Sequence, residues 1–273
     1  MTTTTTTTPA LPTPPFVPIE GTINFRQVGG YSTSSPSGGV QVKPIILYRS
    51  GDPSRITEKG KEQLVSLGIR RIFDLRADTE VSQYASARAD IPGVEFVKVP
   101  VSDEEAFDPV NLALKLKQFH EKELETFLEL YQEMLECGAG AYETIFRHLI
   151  ERPDELCLVH CTAGKDRAGL FVALLMMILG VPDDEIVNEY TLTTIGLAPA
   201  LPALTARFQK HDVYRDNWQG VMNMGSARPE TILATLSMIR SKYNGGVEGY
   251  LKARTSLVDE DLEKLRGNFL VKV

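Results

Sequence analysis

The residues best suited to chemistry lie at positions 157–170, where the sequence is Cys-Leu-Val-His-Cys-Thr-Ala-Gly-Lys-Asp-Arg-Ala-Gly-Leu. Cys161 and Arg167 bound a short segment, hereafter the anion loop (residues 161–167), that follows an apolar strand and precedes a helix. Successive backbone N–H groups in a tight loop and at a helix N-terminus bind anions. Arg167 can hold two phosphate oxygens with its planar fork. The arrangement predicts attack of a thiolate on a phosphate monoester.

The residues within and beside the anion loop are expected to bind the phosphoryl group. Gly164 suits a position where the backbone takes positive φ or approaches a ligand closely, and Lys165 is expected to place a positive charge at the rim. The helix dipole and the Arg167 charge favour the thiolate of Cys161. Because loop amides and Arg167 neutralise developing charge, we expect no metal and no cofactor. The expected binding set is Thr162, Ala163, Gly164, Lys165 and Ala168.

The leaving oxygen needs a proton, and the sequence offers three sources for it. Asp166 lies inside the anion loop and is the nearest candidate. Asp74 follows an apolar strand in the sequence Phe-Asp-Leu-Arg and is the second candidate. The acidic segment at residues 102–108 is the third, as part of a mobile lid. The sequence leaves the choice among them open.

At these residues the chain resembles the protein tyrosine phosphatase superfamily. Within it, the chain is similar to the atypical tyrosine and phosphoinositide phosphatases of bacteria and fungi, typified by mycobacterial tyrosine phosphatase B. The loop motif of that group, His-Cys-x-Ala-Gly-Lys-Asp-Arg-Thr-Gly, matches residues 160–169 except at Ala168. The likeness extends over about residues 20–255. Its further motifs are Asn24-Phe25-Arg26, Tyr48-Arg49-Ser50-Gly51, Asp74-Leu75-Arg76 with Glu80, and Glu189-Tyr190.

The resemblance implies a role for several of these residues. Cys161 would be the nucleophile, Arg167 the phosphate clamp and Asp166 the acid. Lys165 would mark a specificity broadened towards phosphoinositides, and Asp74 would lie near the active site. The implied architecture is that of the protein tyrosine phosphatases, with a helical lid insertion.

One departure from the family motif concerns the position after the arginine. The superfamily usually carries Ser or Thr there, and its hydroxyl helps the thiolate to leave when the intermediate is hydrolysed. This chain has Ala168. The departure predicts a slower second step, or a substitute hydroxyl such as that of Thr162.

Length and composition exclude several classes of protein. The chain has 273 residues, of which 42% are hydrophobic, so it can bury a large core. A net charge of −7 without a basic stripe argues against a nucleic-acid partner. Three cysteines form no disulfide framework and favour a reducing, cytoplasmic location. No apolar run reaches the ~18 residues of a transmembrane helix, so none is predicted.

The order of the predicted elements favours an α/β fold with a central, mostly parallel sheet flanked by helices. Residues 1–20, rich in Thr and Pro, are predicted to form a disordered tail. Residues 21–273 are predicted to form one phosphatase domain. Residues 195–225 carry few signals. The pattern predicts strands within 38–49, 71–75 and 94–99, and helices within 57–67, 141–150 and 229–242 and from 183 onwards.

Two segments keep alternative interpretations. Residues 103–140 are acidic and carry apolar side chains at helical spacing. They form either a helix packed on the domain with a solvated acidic face or a lid that moves over the active site. Cys157 is either a buried strand residue or a thiol that forms a disulfide with oxidised Cys161.

These expectations describe a cysteine-dependent phosphatase that acts through a cysteinyl-phosphate. Protein phosphotyrosine is the leading substrate class. Phosphoinositides, suggested by Lys165, and soluble inositol phosphates are the alternatives. Because of Ala168, a phosphate-binding protein without turnover also stays open.

Overall fold

The computed structural model describes residues 11–34, 39–83, 89–101 and 109–273. Its main sheet has five strands in the order β1-β3-β6-β4-β5. β1 is antiparallel to β3, and the other neighbours are parallel. β2 and β7 form a separate antiparallel pair. The expected mostly parallel sheet is confirmed. The strands are β1 (Arg26–Val28), β2 (Val40–Val42), β3 (Leu47–Ser50), β4 (Arg71–Asp74), β5 (Glu95–Lys98), β6 (Cys157–His160) and β7 (Leu270–Lys272).

Helices connect the strands and make up most of the C-terminal half. The predicted helices are each present, and residues 195–225, which carry few sequence signals, contain three short ones. Helices this short show little hydrophobic periodicity, so the sequence pattern does not predict them. The helices are α1 (Glu58–Ser66), α2 (Asp78–Gln83), α3 (Pro109–Glu121), α4 (Glu123–Cys137), α5 (Ala139–Glu151), α6 (Asp166–Ile178), α7 (Asp183–Leu197), α8 (Leu201–Phe208), α9 (Asp212–Arg215), α10 (Trp218–Met224), α11 (Pro229–Lys242), α12 (Gly246–Arg254) and α13 (Asp259–Phe269).

Alternating side chains give the sheet two buried faces. Phe73 and Val159 pack into a large cluster with residues of α4–α7 and α11–α13. Their neighbours Ile72 and Leu158 pack into a smaller cluster that includes Leu64 of α1. Both faces are therefore covered, as parallel strands require. Among the helices of the described ranges, none is long and apolar enough to cross a membrane.

The N-terminal boundary differs from the prediction. Residues 1–10 lie outside the described residues, but the prediction of a disordered tail is wrong for residues 11–20. Phe16 is 1% exposed and pairs with Arg26 across an isolated bridge. Ile19 joins the smaller core cluster. These two apolar side chains bury surface within a segment whose overall composition is typical of disorder.

The predicted helical segment at residues 103–140 is divided between two packing environments. α4 places Tyr131 and Leu135, both 0% exposed, in the large core cluster. α3 contributes Phe119 to the same large cluster and Leu112 to a separate small cluster with α9 and α10. α4 is therefore a packed helix, and lid motion stays a prediction. The acidic segment at 102–108, the third candidate acid, lies outside the described residues.

Candidate active site

The anion loop lies where β6 ends and α6 begins, at the carboxyl edge of the parallel strands. That edge is the usual ligand site of such sheets. Gly164 has φ +67°, and a Cβ there would lie 2.4 Å from the carbonyl carbon of Ser50. Any side chain would therefore displace the backbone of β3. The expected demand for glycine at this position is confirmed.

Arg167 is held by a carboxylate that comes from α2. Its NH1 lies 2.6 Å from Glu80 Oε2, and its NH2 lies 2.9 Å from Oε1. The Thr162 hydroxyl also donates to Glu80. Burial alone would lower the pKa of Arg167, but the Glu80 carboxylate outweighs burial and raises that pKa. We call these three residues the Glu80 cluster. Arg167 therefore stays protonated within its ion pair with Glu80.

Cys161 begins the loop and is 2% exposed. Both Arg167 and Lys165 lie within electrostatic range of its thiol.

Cys157 stands at the opposite end of β6 from the loop. Four residues of extended strand separate the two cysteines by about 13 Å, whereas a disulfide needs Cα atoms within about 7 Å. Burial raises the pKa of the Cys157 thiol to about 12. Cys157 is therefore a buried strand residue, and it cannot pair with Cys161 in this fold.

Asp166 opens α6, and two donors reach the same oxygen of its carboxyl. The Tyr131 hydroxyl donates to Oδ1 over 2.8 Å, and Lys165 Nζ lies 2.6 Å from it. The Tyr131 hydroxyl is also 2.8 Å from that of Tyr190. Burial, followed by the Asp166 charge, raises the pKa of Tyr131 well above its ordinary value. Tyr131 therefore stays protonated and remains a donor.

Lys165 does not stand at the rim, contrary to the prediction. It is 2% exposed, and its Nζ lies 4.5 Å from the centroid of the Phe127 ring. α4 covers the lysine, and the ion pair with Asp166 balances its charge. The sequence could not show this because Phe127 and Lys165 meet only through tertiary packing.

Asp74 is the last residue of β4, and Arg76 donates hydrogen bonds to both oxygens of its carboxyl group. It accepts from the Arg76 backbone N–H at 3.0 Å, from Nε at 2.9 Å and from NH2 at 3.0 Å. Burial alone would raise the pKa of Asp74, but His160 and Arg76 outweigh burial and lower it below its ordinary value. Arg76 also pairs with Asp52 at 2.7 Å. This geometry suits an ionised anchor better than a proton donor.

A second set of charged residues, here named the rear network, lies on the other side of the loop. Glu189 of α7 is 2.8 Å from Arg26 Nε and 2.5 Å from Arg49 NH1. Both arginines are 0% exposed, and Asn24 completes the network by accepting from Arg26. Burial alone would raise the pKa of Glu189, but the two arginines lower it.

The two arginines of the rear network are detectable in the sequence as charged residues once the buried strands are assigned. Arg26 and Arg49 each lie within a short strand of a buried sheet. A buried charge is costly unless it is paired, so an arginine at such a position implies a partner. The sequence shows these motifs only as family-like, and neither the partner nor the contact with the loop follows from it.

The chain is similar to several known proteins. The chain matches the tyrosine phosphatase family over residues 17–271. It is similar to a tyrosine-protein phosphatase of Nostoc commune, with 25% identity over 87% of this chain and 79% of the relative. It is also similar to the triple specificity protein phosphatase PtpB of Mycobacterium tuberculosis, with 26% identity over 91% of both chains. A structural match to the core catalytic domain of the PP-IP phosphatase SIW14 of S. cerevisiae has a TM-score of 0.31 and 16% identity, over 65% of this chain and 78% of the other.

A parallel sheet that presents a Cys-to-Arg anion loop at a helix N-terminus has the form of a phosphatase. The family match spans nearly the whole sequence. The chain belongs to the tyrosine phosphatase family, and the expectation of a phosphatase is confirmed.

Proposed function

We propose that this protein hydrolyses phosphate monoesters in two steps, with Cys161 as the nucleophile. The observation that carries the proposal is the anion loop itself, which unites a thiol, a buried arginine and a helix N-terminus. In the first step the thiolate attacks phosphorus and the ester P–O bond breaks. In the second, water attacks the cysteinyl-phosphate and releases inorganic phosphate and the thiolate. Arg167 and the loop N–H groups stabilise the charge on the phosphoryl oxygens.

We propose Asp166 as the acid that protonates the leaving oxygen. It belongs to the loop, and its two donors both approach Oδ1, which fixes the carboxyl and directs Oδ2 away from them. The same carboxylate would then accept a proton from the attacking water. Asp74 is proposed as an anchor near the site, because Arg76 engages both of its carboxyl oxygens, whereas Tyr131 and Lys165 both approach only Oδ1 of Asp166.

The binding role of the remaining loop residues rests on their backbone. Thr162, Ala163 and Gly164 would offer N–H groups to the phosphoryl oxygens, as would Lys165. Ala168 would add the first turn of α6. The Lys165 side chain, held between Asp166 and Phe127, would act mainly through its charge.

Phosphotyrosine in proteins is the substrate class that we favour. The relative from Nostoc commune is named a tyrosine-protein phosphatase. Phosphoinositides and inositol phosphates form the second candidate class, because a relative of similar identity is named for triple specificity. The buried Lys165 side chain argues against direct contact with an inositol headgroup while α4 covers it. A reducing, cytoplasmic location is proposed with the thiolate mechanism.

The test of mechanism is hydrolysis of p-nitrophenyl phosphate across pH, with and without EDTA. Cys161→Ser should lower kcat at least ~10³-fold, since a hydroxyl replaces the nucleophile. The matched control is Cys157→Ala, which changes a buried thiol of the same strand and should retain turnover. Turnover that survives in Cys161→Ser, or that EDTA abolishes, would reject the mechanism. So would a stable phosphoenzyme without further turnover, which would indicate a phosphate-binding protein.

The test of substrate class compares kcat/KM for a phosphotyrosyl peptide with kcat/KM for short-chain phosphoinositides and an inositol phosphate. We expect the peptide to have the highest value. A Lys165→Met variant should affect all substrates alike, because the ammonium group contacts Asp166. A selective loss on phosphoinositides would instead assign Lys165 to the headgroup and reverse the preference proposed above.

A further inference from the structure

The rear network contacts the anion loop through backbone carbonyl oxygens. Asn24 Nδ2 donates to Ala163 O over 2.9 Å and to Gly164 O over 3.4 Å. Arg49 NH2 donates to Gly164 O over 2.6 Å and to Lys165 O over 3.1 Å. Three successive carbonyl groups therefore accept hydrogen bonds from two buried side chains, and the third, Lys165 O, also accepts from the Gly169 N–H over 2.9 Å.

These contacts have a consequence for the opposite side of each peptide unit. In a trans peptide, the N–H of one residue points away from the carbonyl of the residue before it. A carbonyl held at the rear therefore directs the next N–H forwards. The N–H groups set in this way belong to Gly164, Lys165 and Asp166. They are the donors that an anion in the loop would need.

We propose that Asn24 and Arg49 are positioning residues for phosphoryl binding. They hold three loop carbonyls at the rear and so keep the following N–H groups directed at the phosphoryl group before it arrives. Donors that are already oriented need no rearrangement when charge develops on the phosphoryl oxygens. This inference rests on the proposed function of the anion loop.

Two helical glycines supply independent support. Gly169 lies in α6 and Gly196 in α7, although glycine is a poor helix former. A Cβ at Gly169 would lie 2.9 Å from Arg49 NH2, and one at Gly196 would lie 2.2 Å from Asn24 Oδ1. Both helices thus carry glycine where a positioning side chain passes. Glycine lowers the helix propensity at these two positions, but the absence of a Cβ leaves room for the side chains of Arg49 and Asn24.

The charge of the rear network also favours an anion in the loop. Arg26 and Arg49 are two cations, and Glu189 is the single carboxylate that pairs with both. Arg26 NH2 reaches the Glu189 carbonyl at 3.2 Å and the Thr193 hydroxyl at 3.1 Å, and NH1 reaches the Asn24 side chain; all three acceptors are neutral. Within the part of the chain that the structure describes, one positive charge of the rear network therefore has no carboxylate of its own. Burial reduces its screening by solvent.

The first test compares Asn24→Gly with Asn268→Gly. Asn24 has φ +54°, a conformation that glycine adopts freely, so the substitution removes the amide donor with little backbone strain and adds no charge beside the arginines. Asn268 is the matched control because its Nδ2 donates to two successive carbonyls, Leu149 O at 3.2 Å and Ile150 O at 3.0 Å, at the end of α5. Calorimetry measures the Kd of orthophosphate, and inhibition kinetics measures its Ki.

We expect Asn24→Gly to weaken orthophosphate binding about tenfold, the equivalent of roughly one net hydrogen bond, and to raise KM in parallel. Asn268→Gly should leave both values unchanged even if it lowers the melting temperature. A purely structural role for Asn24 predicts the opposite pattern, in which both variants melt earlier and bind orthophosphate as the unaltered protein does. That pattern would overturn the proposal.

A second pair of variants tests Arg49 without replacing a buried polar side chain, a change that could impair folding. Gly169→Ala crowds Arg49 NH2 without removing any charge, and alanine favours the helix. Gly267→Ala is its control, because a Cβ there meets nothing within 4 Å. We expect Gly169→Ala to weaken orthophosphate binding severalfold while the protein stays folded. Equal Kd values for the two variants and the unaltered protein would overturn the role of Arg49.

Failure of this inference differs from failure of the proposed function. If the unaltered protein binds no orthophosphate, the function proposed for the anion loop is wrong. If it binds orthophosphate and all four variants bind equally well, only the positioning role is wrong. Calorimetry makes this distinction without requiring turnover.

Discussion

The anion loop stands between two buried arginine–glutamate arrangements that differ in stoichiometry. In the rear network one carboxylate, Glu189, serves two arginines, and both arginine side chains are 0% exposed. In the Glu80 cluster one carboxylate serves one arginine, and the Arg167 side chain is 10% exposed. The first arrangement grips backbone carbonyls, whereas the second contains the guanidinium that we propose as the phosphate clamp.

The difference shows how similar chemistry can serve structure on one side of a loop and ligand binding on the other. Removal of Glu189 would leave two cations buried without a counter-charge. Removal of Glu80 would leave one cation that still reaches solvent and phosphate. A buried charge that loses its partner is strongly destabilising. The two carboxylates should therefore separate stability from catalysis.

The largest expected effect follows from the pair Glu189→Gln and Glu80→Gln. Glu189→Gln should lower the free energy of unfolding by about 3–5 kcal/mol, the range for breaking a buried ion pair. Glu80→Gln should lower it by less, because one cation rather than two loses its carboxylate and the Arg167 side chain is 10% exposed, while kcat/KM falls at least ~10-fold because the arginine fork is no longer fixed. Urea unfolding and p-nitrophenyl phosphate kinetics measure the two quantities. Equal losses of stability in both variants would contradict the comparison.

The Glu80 cluster and the rear network also mark the limit of what the sequence predicted. Cys161, Arg167 and Gly164 fall within seven residues of each other, so local spacing and backbone demand identify them together. The partners do not share this proximity, because Arg49 and Glu189 are 140 positions apart. Only the folded sheet and α7 bring them together.

Secondary structure follows the same division. The strands and the longer helices can be predicted from hydrophobic periodicity and turn residues. The burial of Lys165 under Phe127 depends on how α4 packs, and that packing is a property of the whole core. The ordered segment at residues 11–20 was missed because two apolar anchors outweigh a composition typical of disorder.

Asp166 and Asp74 lie near the anion loop, and their substitution should have effects of intermediate size on kcat and stability. Asp166→Asn should lower kcat about 10²-fold on a phenyl or alkyl phosphate, whose leaving group needs a proton. The loss should be smaller on p-nitrophenyl phosphate, which leaves readily. Asp74→Asn should keep kcat within a few-fold and lower the free energy of unfolding by about 1–3 kcal/mol. A larger kinetic loss in Asp74→Asn than in Asp166→Asn would reassign the acid.

The pH dependence of stability gives Asp74 a second readout. Its pKa in the folded protein lies below the ordinary value of 3.8. A depressed folded pKa means that the ionised carboxyl contributes stability above about pH 4 and that this contribution is lost as the pH falls through the folded pKa. The unaltered protein should therefore melt at a higher temperature than Asp74→Asn at pH 7, and the two melting temperatures should converge as the pH falls below about 4. A constant difference would show that the charge of Asp74 is not the stabilising feature.

The smallest expected effect concerns the missing hydroxyl at Ala168. The substitute that the sequence suggested, Thr162, donates its proton to Glu80 and accepts from Arg167 NH2 at 3.3 Å. That hydroxyl is therefore committed to the Glu80 cluster and is unavailable to the departing thiolate. Since Thr162 does not replace the family hydroxyl, breakdown of the cysteinyl-phosphate should limit turnover. Release of p-nitrophenol should then show a burst followed by a slower steady rate.

Ala168→Ser should restore the hydroxyl and speed the second step by about fivefold, as expected for one hydrogen bond of ~1 kcal/mol. The burst should shrink as kcat rises. The control is Ala173→Ser in the same helix, which also buries a hydroxyl but lies a full turn beyond the loop and should leave the burst unchanged. A faster burst phase with an unchanged kcat would mean that serine accelerates only the first step, because kcat follows the slower second step. The hydroxyl would then assist the attacking thiolate rather than its departure.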